Sequence, residues 1–153
     1  MEETELYFAS GSNLSARKMR ERGTRFISRE SAVRGFRGFR VVFSIWKDDG
    51  FGYANIIPDK ESTVYGALYI CLKGSLAKLD KHEAGRLRRV IVQVERKSGE
   101  IVDATAYQAC EEYVKEGLKP SQIYLNEILE GEDLIIKEYA DYFRNFLCDK
   151  TEK

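Results

Sequence analysis

The sequence predicts an α+β fold in which a mixed, mostly antiparallel sheet is flanked by a few helices. Two observations lead to this prediction. Up to Cys110, short apolar segments with strand-like alternation follow one another through turns rich in glycine and aspartate. After Cys110 the apolar residues recur at helical spacing. The 153 residues fit one domain, which we expect to span residues 1–153.

The N-terminal segment YFASGSNL, residues 7–14, predicts a strand that breaks at a glycine turn and leads into a basic helix over residues 15–22. Ser12 and Asn13 are residue types that cap helices, and Gly11 permits backbone angles that other residues resist. Unpaired N–H groups at such a helix start suit a carboxylate or an oxyanion. A tight connection without any ligand is the alternative interpretation.

The middle of the chain predicts a succession of strands. Residues 25–27 and 32–33 are short extended candidates. A clearer strand follows, in which one face carries Phe39, Val41, Phe43 and Ile45. The sequence KDDG at residues 47–50 predicts a hairpin turn into a strand over residues 53–57. Residues 63–72 are apolar on both faces, which indicates a central buried strand. Gly66 within it indicates close approach of another backbone or a ligand.

The remaining elements follow from the same patterns. Ser75 caps a predicted helix that runs to about Glu83. A half-buried strand around residues 89–95 turns at residues 98–99 and returns over residues 101–109. Two helical segments follow, separated by Gly131, after a polar connection at residues 111–119 with room for a short helical piece.

Six short motifs, in order, resemble the γ-glutamyl cyclotransferase-like family. The first is residues 7–14, where the family usually has YFAYGSNL. The others are GYANIIP (52–58), VYGALY (64–69), LDKHE (79–83), RRV (88–90) and PSQIY (120–124). The match extends from about residue 6 to the late helices. The resemblance implies that the sheet closes into a barrel-like structure, which alternation alone does not distinguish from a curved open sheet.

Glu83 is the residue with the most informative position. It lies one helical turn after Leu79, so its carboxylate emerges beside the apolar face of its helix. Loss of hydration there raises the pKa of a carboxyl group and makes it a competent general base. The alternative from spacing alone is a helix-end ion pair with Arg86, Arg88 or Arg89. In the family that this chain resembles, the corresponding Glu is the catalytic acid/base.

The resemblance implies an enzyme that releases 5-oxoproline from a γ-glutamyl amine or amino-acid conjugate. The α-amine of such a substrate attacks its own γ-carbonyl, so the transfer needs no protein nucleophile, metal ion or organic cofactor. The backbone around residues 10–12 is then expected to bind the α-carboxylate or the developing oxyanion. The residues implied in substrate binding are Tyr7, Phe8, Ala9, Ser10, Gly11, Ser12 and Tyr124.

Two departures from the family pattern affect the presumed site. Ser10 stands where the family usually has Tyr, and the glycine that commonly follows the catalytic Glu is displaced in Glu83-Ala84-Gly85. A second hypothesis is therefore a non-catalytic module that keeps the fold and binds a small molecule or a protein. Glu83 favours the enzyme, and Ser10 favours the binding module.

Other chemistries have weaker support. The 25 basic and 25 acidic residues give no bulk charge for nucleic acid or membrane binding. GFRGFR at residues 35–40 interleaves aromatics with arginines as some RNA-binding surfaces do, but its strand alternation favours a solvated barrel edge. His82 is the only histidine, which makes a catalytic triad a poor interpretation.

The three cysteines, Cys71, Cys110 and Cys148, are far apart and lack the spacing of a metal site. No leader precedes Tyr7, and no apolar run approaches the ~20 residues that span a bilayer. We therefore expect a cytoplasmic monomer or homodimer that acts on a small γ-glutamyl substrate.

Overall fold

The computed structural model describes residues 3–35, 38–83 and 85–151. Its strands are β1 (Thr4–Ala9), β2 (Phe26–Arg34), β3 (Phe39–Trp46), β4 (Gly52–Pro58), β5 (Tyr65–Leu72), β6 (Leu87–Arg96) and β7 (Ile101–Ala109). Its α-helices are α1 (Ala16–Glu21), α2 (Leu76–Glu83), α3 (Gln122–Leu129) and α4 (Lys137–Thr151). Three short 3₁₀ turns lie at Ser12–Leu14, Glu111–Tyr113 and Glu132–Leu134.

Five strands close into a barrel in the order β1-β5-β2-β6-β7. Neighbouring strands pair antiparallel, except that β1 and β7 meet in parallel at Tyr7 and Thr105. The predicted α+β fold with a mostly antiparallel, barrel-like sheet is therefore confirmed. Strand β5 pairs with β1 and β2 and is buried along most of its length, as its two apolar faces predict. A Cβ atom on Gly66 would clash with the Ala9 carbonyl of β1, so the predicted close backbone approach is also confirmed.

Strands β3 and β4 form a separate two-stranded sheet joined by the predicted hairpin turn. The Gly50 N–H donates to the Lys47 carbonyl at 3.0 Å, and Gly50 has a φ of +84° that few other residues adopt. On the inner side, the Phe43 ring packs edge-to-face against Phe143 and Phe146 of α4. Aromatic packing against α4 therefore holds the hairpin in place.

Strand β2 is longer than predicted. Residues 26–27 and 32–33 belong to one strand, because its pairing with β5 continues through a register irregularity between Phe26 and Ser28, and Arg25 lies just before it. Within the GFRGFR segment, Phe36 and Arg37 lie outside the described residues. Arg34 lies over the Phe39 ring at 4.3 Å from its centroid, and Arg40 forms an ion pair with Asp59 at 3.3 Å.

Helix α1 (Ala16–Glu21) lies within the predicted basic helix over residues 15–22. The side chain of Ser15 accepts a hydrogen bond from the Lys18 N–H at 3.2 Å and caps the helix. The prediction that Ser12 or Asn13 caps the helix is wrong, because these two residues form the 3₁₀ turn that precedes it. Within the part of the chain that the structure describes, no helix is long and apolar enough to cross a membrane.

Candidate functional site

A pocket of about 270 Å³ lies where the 3₁₀ turn after β1 faces the β3–β4 sheet and the ends of α2 and α3. The structure brings most of the predicted site residues into its lining. These are Tyr7, Phe8, Ser10, Gly11, Ser12, Glu83 and Tyr124. Ala9 is not among the lining residues, because it is buried in the barrel and pairs with Ala67 of β5.

The loop from Ser10 to Asn13 is fixed by side chains on either side of it. Asn13 Nδ2 donates to the Tyr7 hydroxyl at 2.9 Å, and the Tyr69 hydroxyl donates to the Asn13 carbonyl at 2.6 Å. Arg22 donates to Ser12 Oγ at 3.1 Å and also to Asn13 Oδ1. These bonds hold a buried polar loop in one conformation.

Backbone donors of this loop remain available for a ligand. Within the described residues, the N–H groups of Gly11 and Ser12 donate to no protein acceptor. Both residues line the pocket. Backbone N–H groups without a partner favour a bound anion or carbonyl oxygen, because an unpaired buried donor is energetically costly.

A close neighbour, and not a positive φ angle, accounts for the presence of glycine at position 11. Its φ is −116°, which other residues adopt. A Cβ atom at this position would lie 3.0 Å from the Tyr124 hydroxyl and 3.3 Å from the Ala54 Cβ. The absence of a side chain therefore lets Tyr124 approach the loop.

Tyr124 is held in place by its helix and by the β3–β4 sheet. Ser121 Oγ accepts from the Tyr124 N–H at 3.1 Å at the start of α3, and the Ala54 N–H donates to the Tyr124 hydroxyl at 3.0 Å. Burial raises the pKa of Tyr124, so the phenol stays protonated at neutral pH. Since its oxygen accepts from Ala54, its hydrogen can be donated to a bound ligand.

Glu83 lies at the end of α2, half-buried, in the same pocket. Loss of hydration raises the pKa of Glu83, and the nearby cations Lys47 and Arg22 offset part of this rise. Among the described residues Glu83 forms no ion pair. Arg89 instead binds Asp80 at 2.7 Å, and Arg86 donates to the Trp46 carbonyl at 2.7 Å, so the helix-end pairing alternative is not observed.

Sequence reasoning did not identify several charged residues of the pocket. Arg22 comes from the end of α1, Lys47 from the β3–β4 hairpin, and Glu127 from α3. The hairpin also supplies Tyr53 to the lining. Glu127 forms an ion pair with Lys18 at 3.1 Å. One signal was available for Glu127, since it lies one helical turn after Tyr124 and so shares its helix face. Nothing in the local spacing marks Arg22 or Lys47.

His82 lines the pocket beside Glu83, with its side chain exposed. Partial loss of hydration, together with the cations Arg22, Lys47 and Lys18, lowers the pKa of His82 to about 4. The imidazole is therefore neutral at physiological pH. The Cys71 thiol is buried, and burial raises its pKa to about 12. In the described part of the chain, no group of three or more His, Cys, Asp or Glu side chains could hold a metal ion.

The sequence model of the AIG2-like family matches residues 63–142, more than half of the chain. The chain belongs to the AIG2-like family. The matched region contains Glu83 and Tyr124 and begins just before β5. Together with the structural likenesses below, this match confirms the predicted γ-glutamyl cyclotransferase-like family. No curated protein matches the sequence.

Several solved structures share this fold. A γ-glutamyl cyclotransferase is 23% identical with a TM-score of 0.78, and the match covers 93% of this chain and 87% of that one. An uncharacterized protein from Homo sapiens is 24% identical with a TM-score of 0.78, covering 94% and 88%. A yeast γ-glutamyl cyclotransferase specific to glutathione is 13% identical with a TM-score of 0.72, covering 94% of each chain. These structural likenesses show that the chain has the same fold as these proteins.

Proposed function

We propose that this AIG2-like protein is a γ-glutamyl cyclotransferase-like enzyme that releases 5-oxoproline from a γ-glutamyl amine or amino-acid conjugate. The observation that supports this proposal is the convergence of Glu83 with the loop N–H groups of Gly11 and Ser12 in one pocket. The reaction needs a base and an anion-binding group on the same substrate molecule. The fold shared with γ-glutamyl cyclotransferase structures adds support.

The first chemical step is removal of a proton from the substrate's α-ammonium group by Glu83. The neutral amine then attacks the γ-carbonyl carbon, and a five-membered ring closes within the substrate. The raised pKa of Glu83 suits this role, because a stronger base accepts the ammonium proton more readily. Arg22 and Lys47 keep enough of the carboxylate ionised to act.

The loop stabilises negative charge during ring closure. The N–H groups of Gly11 and Ser12 can donate to the substrate's α-carboxylate or to the oxygen that becomes negative when the ring closes. The Tyr124 hydroxyl, whose pKa is raised by burial, is a further neutral donor beside the loop. Both kinds of donor are fixed before the substrate binds, which lowers the cost of reorganisation.

The last step expels the leaving amine. Glu83 returns its proton to the departing nitrogen as the bond from the γ-carbon to that nitrogen breaks. The ring nitrogen loses its second proton as the lactam forms, and this proton passes to the departing amine. The products are 5-oxoproline and the amine as its ammonium ion, and Glu83 is again ionised. The bonds formed and broken lie within the substrate, so the sequence of steps requires no covalent enzyme intermediate.

A screen of γ-glutamyl amides for 5-oxoproline release tests this function. We expect Glu83→Gln to lower kcat/KM by about 10²–10⁴-fold while the fold is kept, because the amide preserves the shape but accepts no proton. Circular dichroism checks the fold. The control is Glu116→Gln, which changes an exposed carboxylate that does not line the pocket and should stay within about threefold of the wild-type rate.

Two outcomes would contradict the proposal. Absence of 5-oxoproline from every γ-glutamyl amide would favour the alternative of a binding module on the same fold. A Glu83→Gln variant that keeps most of the wild-type rate would assign the base to another group.

A further inference from the structure

Lys47 is a half-buried cation of the pocket without a carboxylate partner. Its Nζ lies 4.1 Å from the centroid of the Tyr53 ring. In the described part of the structure Lys47 forms no ion pair, although two aspartates follow it in the turn. Asp48 lies against Arg86 at 3.5 Å, and Asp49 accepts a hydrogen bond from the Tyr53 hydroxyl. An ammonium group shielded from water is stabilised by an anion, which a bound substrate can supply.

The charges that line the pocket leave an excess of positive charge. Glu127 is neutralised by Lys18 at 3.1 Å. Arg22 is bound by the neutral side chains of Ser12 and Asn13. Two cations, Arg22 and Lys47, therefore face the single carboxylate of Glu83. A complementary ligand carries two negative charges and one positive charge.

Lys47 and Arg22 reach the pocket from different elements. Arg22 contacts the loop itself through Ser12 and Asn13. Lys47 is connected to Gly11 through two aromatic rings. Tyr124 approaches Gly11, the Tyr53 ring packs on Tyr124 with centroids 4.7 Å apart, and Lys47 lies over the Tyr53 ring. If the glutamyl group binds at the loop, Lys47 lies beside the departing amine.

We propose that Lys47 is a specificity-determining residue that binds a carboxylate on the leaving group. This role rests on the proposed cyclotransferase function. A γ-glutamyl amino acid has an α-ammonium group for Glu83, an α-carboxylate for the loop and Arg22, and a second carboxylate for Lys47. A γ-glutamyl conjugate of a simple amine lacks the second carboxylate and leaves Lys47 unpaired. The pocket therefore favours amino-acid conjugates over amine conjugates.

A pair of substrates that differ only by this carboxylate provides the test. We expect the wild type to have a kcat/KM about 10- to 100-fold higher for γ-glutamyl-alanine than for γ-glutamyl-ethylamide, as for a charge-assisted contact in a partly dehydrated site. Lys47→Met should abolish most of this preference, chiefly through KM. Lys47→Arg should retain it. The control is Lys60→Met, which removes an exposed lysine from the turn after β4 and should leave the preference unchanged.

The results separate the role of Lys47 from the function on which it rests. A wild type without the preference, or a Lys47→Met variant that loses both substrates in equal proportion, overturns the proposal while 5-oxoproline release still supports the cyclotransferase. If neither substrate yields 5-oxoproline, the proposed function fails. Calorimetric binding of the same two compounds then decides the role of Lys47. Weaker binding of γ-glutamyl-alanine alone to Lys47→Met supports it, and an equal loss for both compounds overturns it.

Discussion

Ser10 places a small side chain in the pocket lining where the family motif usually has a tyrosine. Its side chain is half-buried and lines the pocket beside the loop. Protein interiors are close-packed, so space that a side chain does not fill is available to a ligand. We interpret Ser10 as a residue that admits a bulkier leaving group.

Ser10→Tyr should close this space. We compare kcat/KM for γ-glutamyl-phenylalanine with kcat/KM for γ-glutamyl-alanine. The ratio of the first to the second should fall by roughly tenfold, because the larger leaving group no longer fits. Steady-state assays of 5-oxoproline release measure the ratio. Ser10→Ala, which keeps the volume open, should preserve it. Equal changes for both substrates in Ser10→Tyr would show that Ser10 does not shape specificity.

Residues of the site differed in how far the sequence could predict them. Glu83 was predictable because its position depends on helical spacing within its own helix. Arg22 and Lys47 were not, since they reach the pocket from α1 and the β3–β4 hairpin through tertiary packing that no local pattern encodes. Gly11 was predicted for its backbone freedom, whereas its small size beside Tyr124 is what the structure requires.

At the scale of elements, the loop depends on the junction between α3 and α4. A Cβ atom on Gly131 would lie 2.5 Å from the Leu14 carbonyl oxygen at the end of the loop. Ser15 donates to Glu130 at 2.6 Å, which ties the start of α1 to the same junction. The position of the two loop donors is thus set by helices that are distant in sequence.

Gly131→Ala should therefore impair stability and activity together. We expect the free energy of unfolding to fall by about 1–3 kcal/mol, as for other overpacked sites, with a lower kcat/KM because the loop moves. Urea denaturation and the 5-oxoproline assay measure the two effects. The matched control is Gly35→Ala, whose Cβ would lie 2.7 Å from the Gln93 carbonyl oxygen in the barrel.

The control should lose comparable stability and keep its kcat/KM, because Gly35 is not among the residues that line the pocket. If Gly131→Ala keeps full activity despite its lower stability, the junction does not position the loop. If both variants lose activity in proportion to stability, the loss of activity reflects general destabilisation and not the position of the loop.

The elements themselves were largely predictable. The β3–β4 hairpin follows from a turn motif that acts locally, and helix α2 (Leu76–Glu83) spans the predicted residues. Helix α1 lies within its predicted range, but its cap is Ser15, because the earlier residues of capping type, Ser12 and Asn13, form a 3₁₀ turn. Strand β2 was divided in two, because the four residues between its predicted parts, SRES at 28–31, are polar and carry no apolar alternation.

At the scale of the whole molecule, closure of the barrel depends on pairing between distant strands. The decisive contact is the parallel bridge of Tyr7 to Thr105, which joins the first and last strands of the barrel. Alternation within a strand carries no information about this pairing. Closure was therefore predictable only through the motif resemblance. The single-domain boundary and the oligomeric state stay predictions.

The whole fold also determines the acidity of Glu83. Helix α2 places this carboxylate in the pocket, while Lys47 and Arg22 arrive from two other elements. Burial raises the pKa of Glu83 more strongly than the two cations lower it. A group that acts as a base must be ionised, so the rate should rise as the pH passes upward through this raised pKa.

The pH dependence of kcat/KM, measured together with the ¹³C NMR titration of the Glu83 carboxyl group, tests the central claim most directly. We expect the acidic limb of kcat/KM and the Glu83 titration to coincide, both above the ordinary glutamate pKa of about 4.3. An acidic limb clearly displaced from the Glu83 titration, or a kcat/KM that stays constant while Glu83 becomes protonated, would contradict its role as the base.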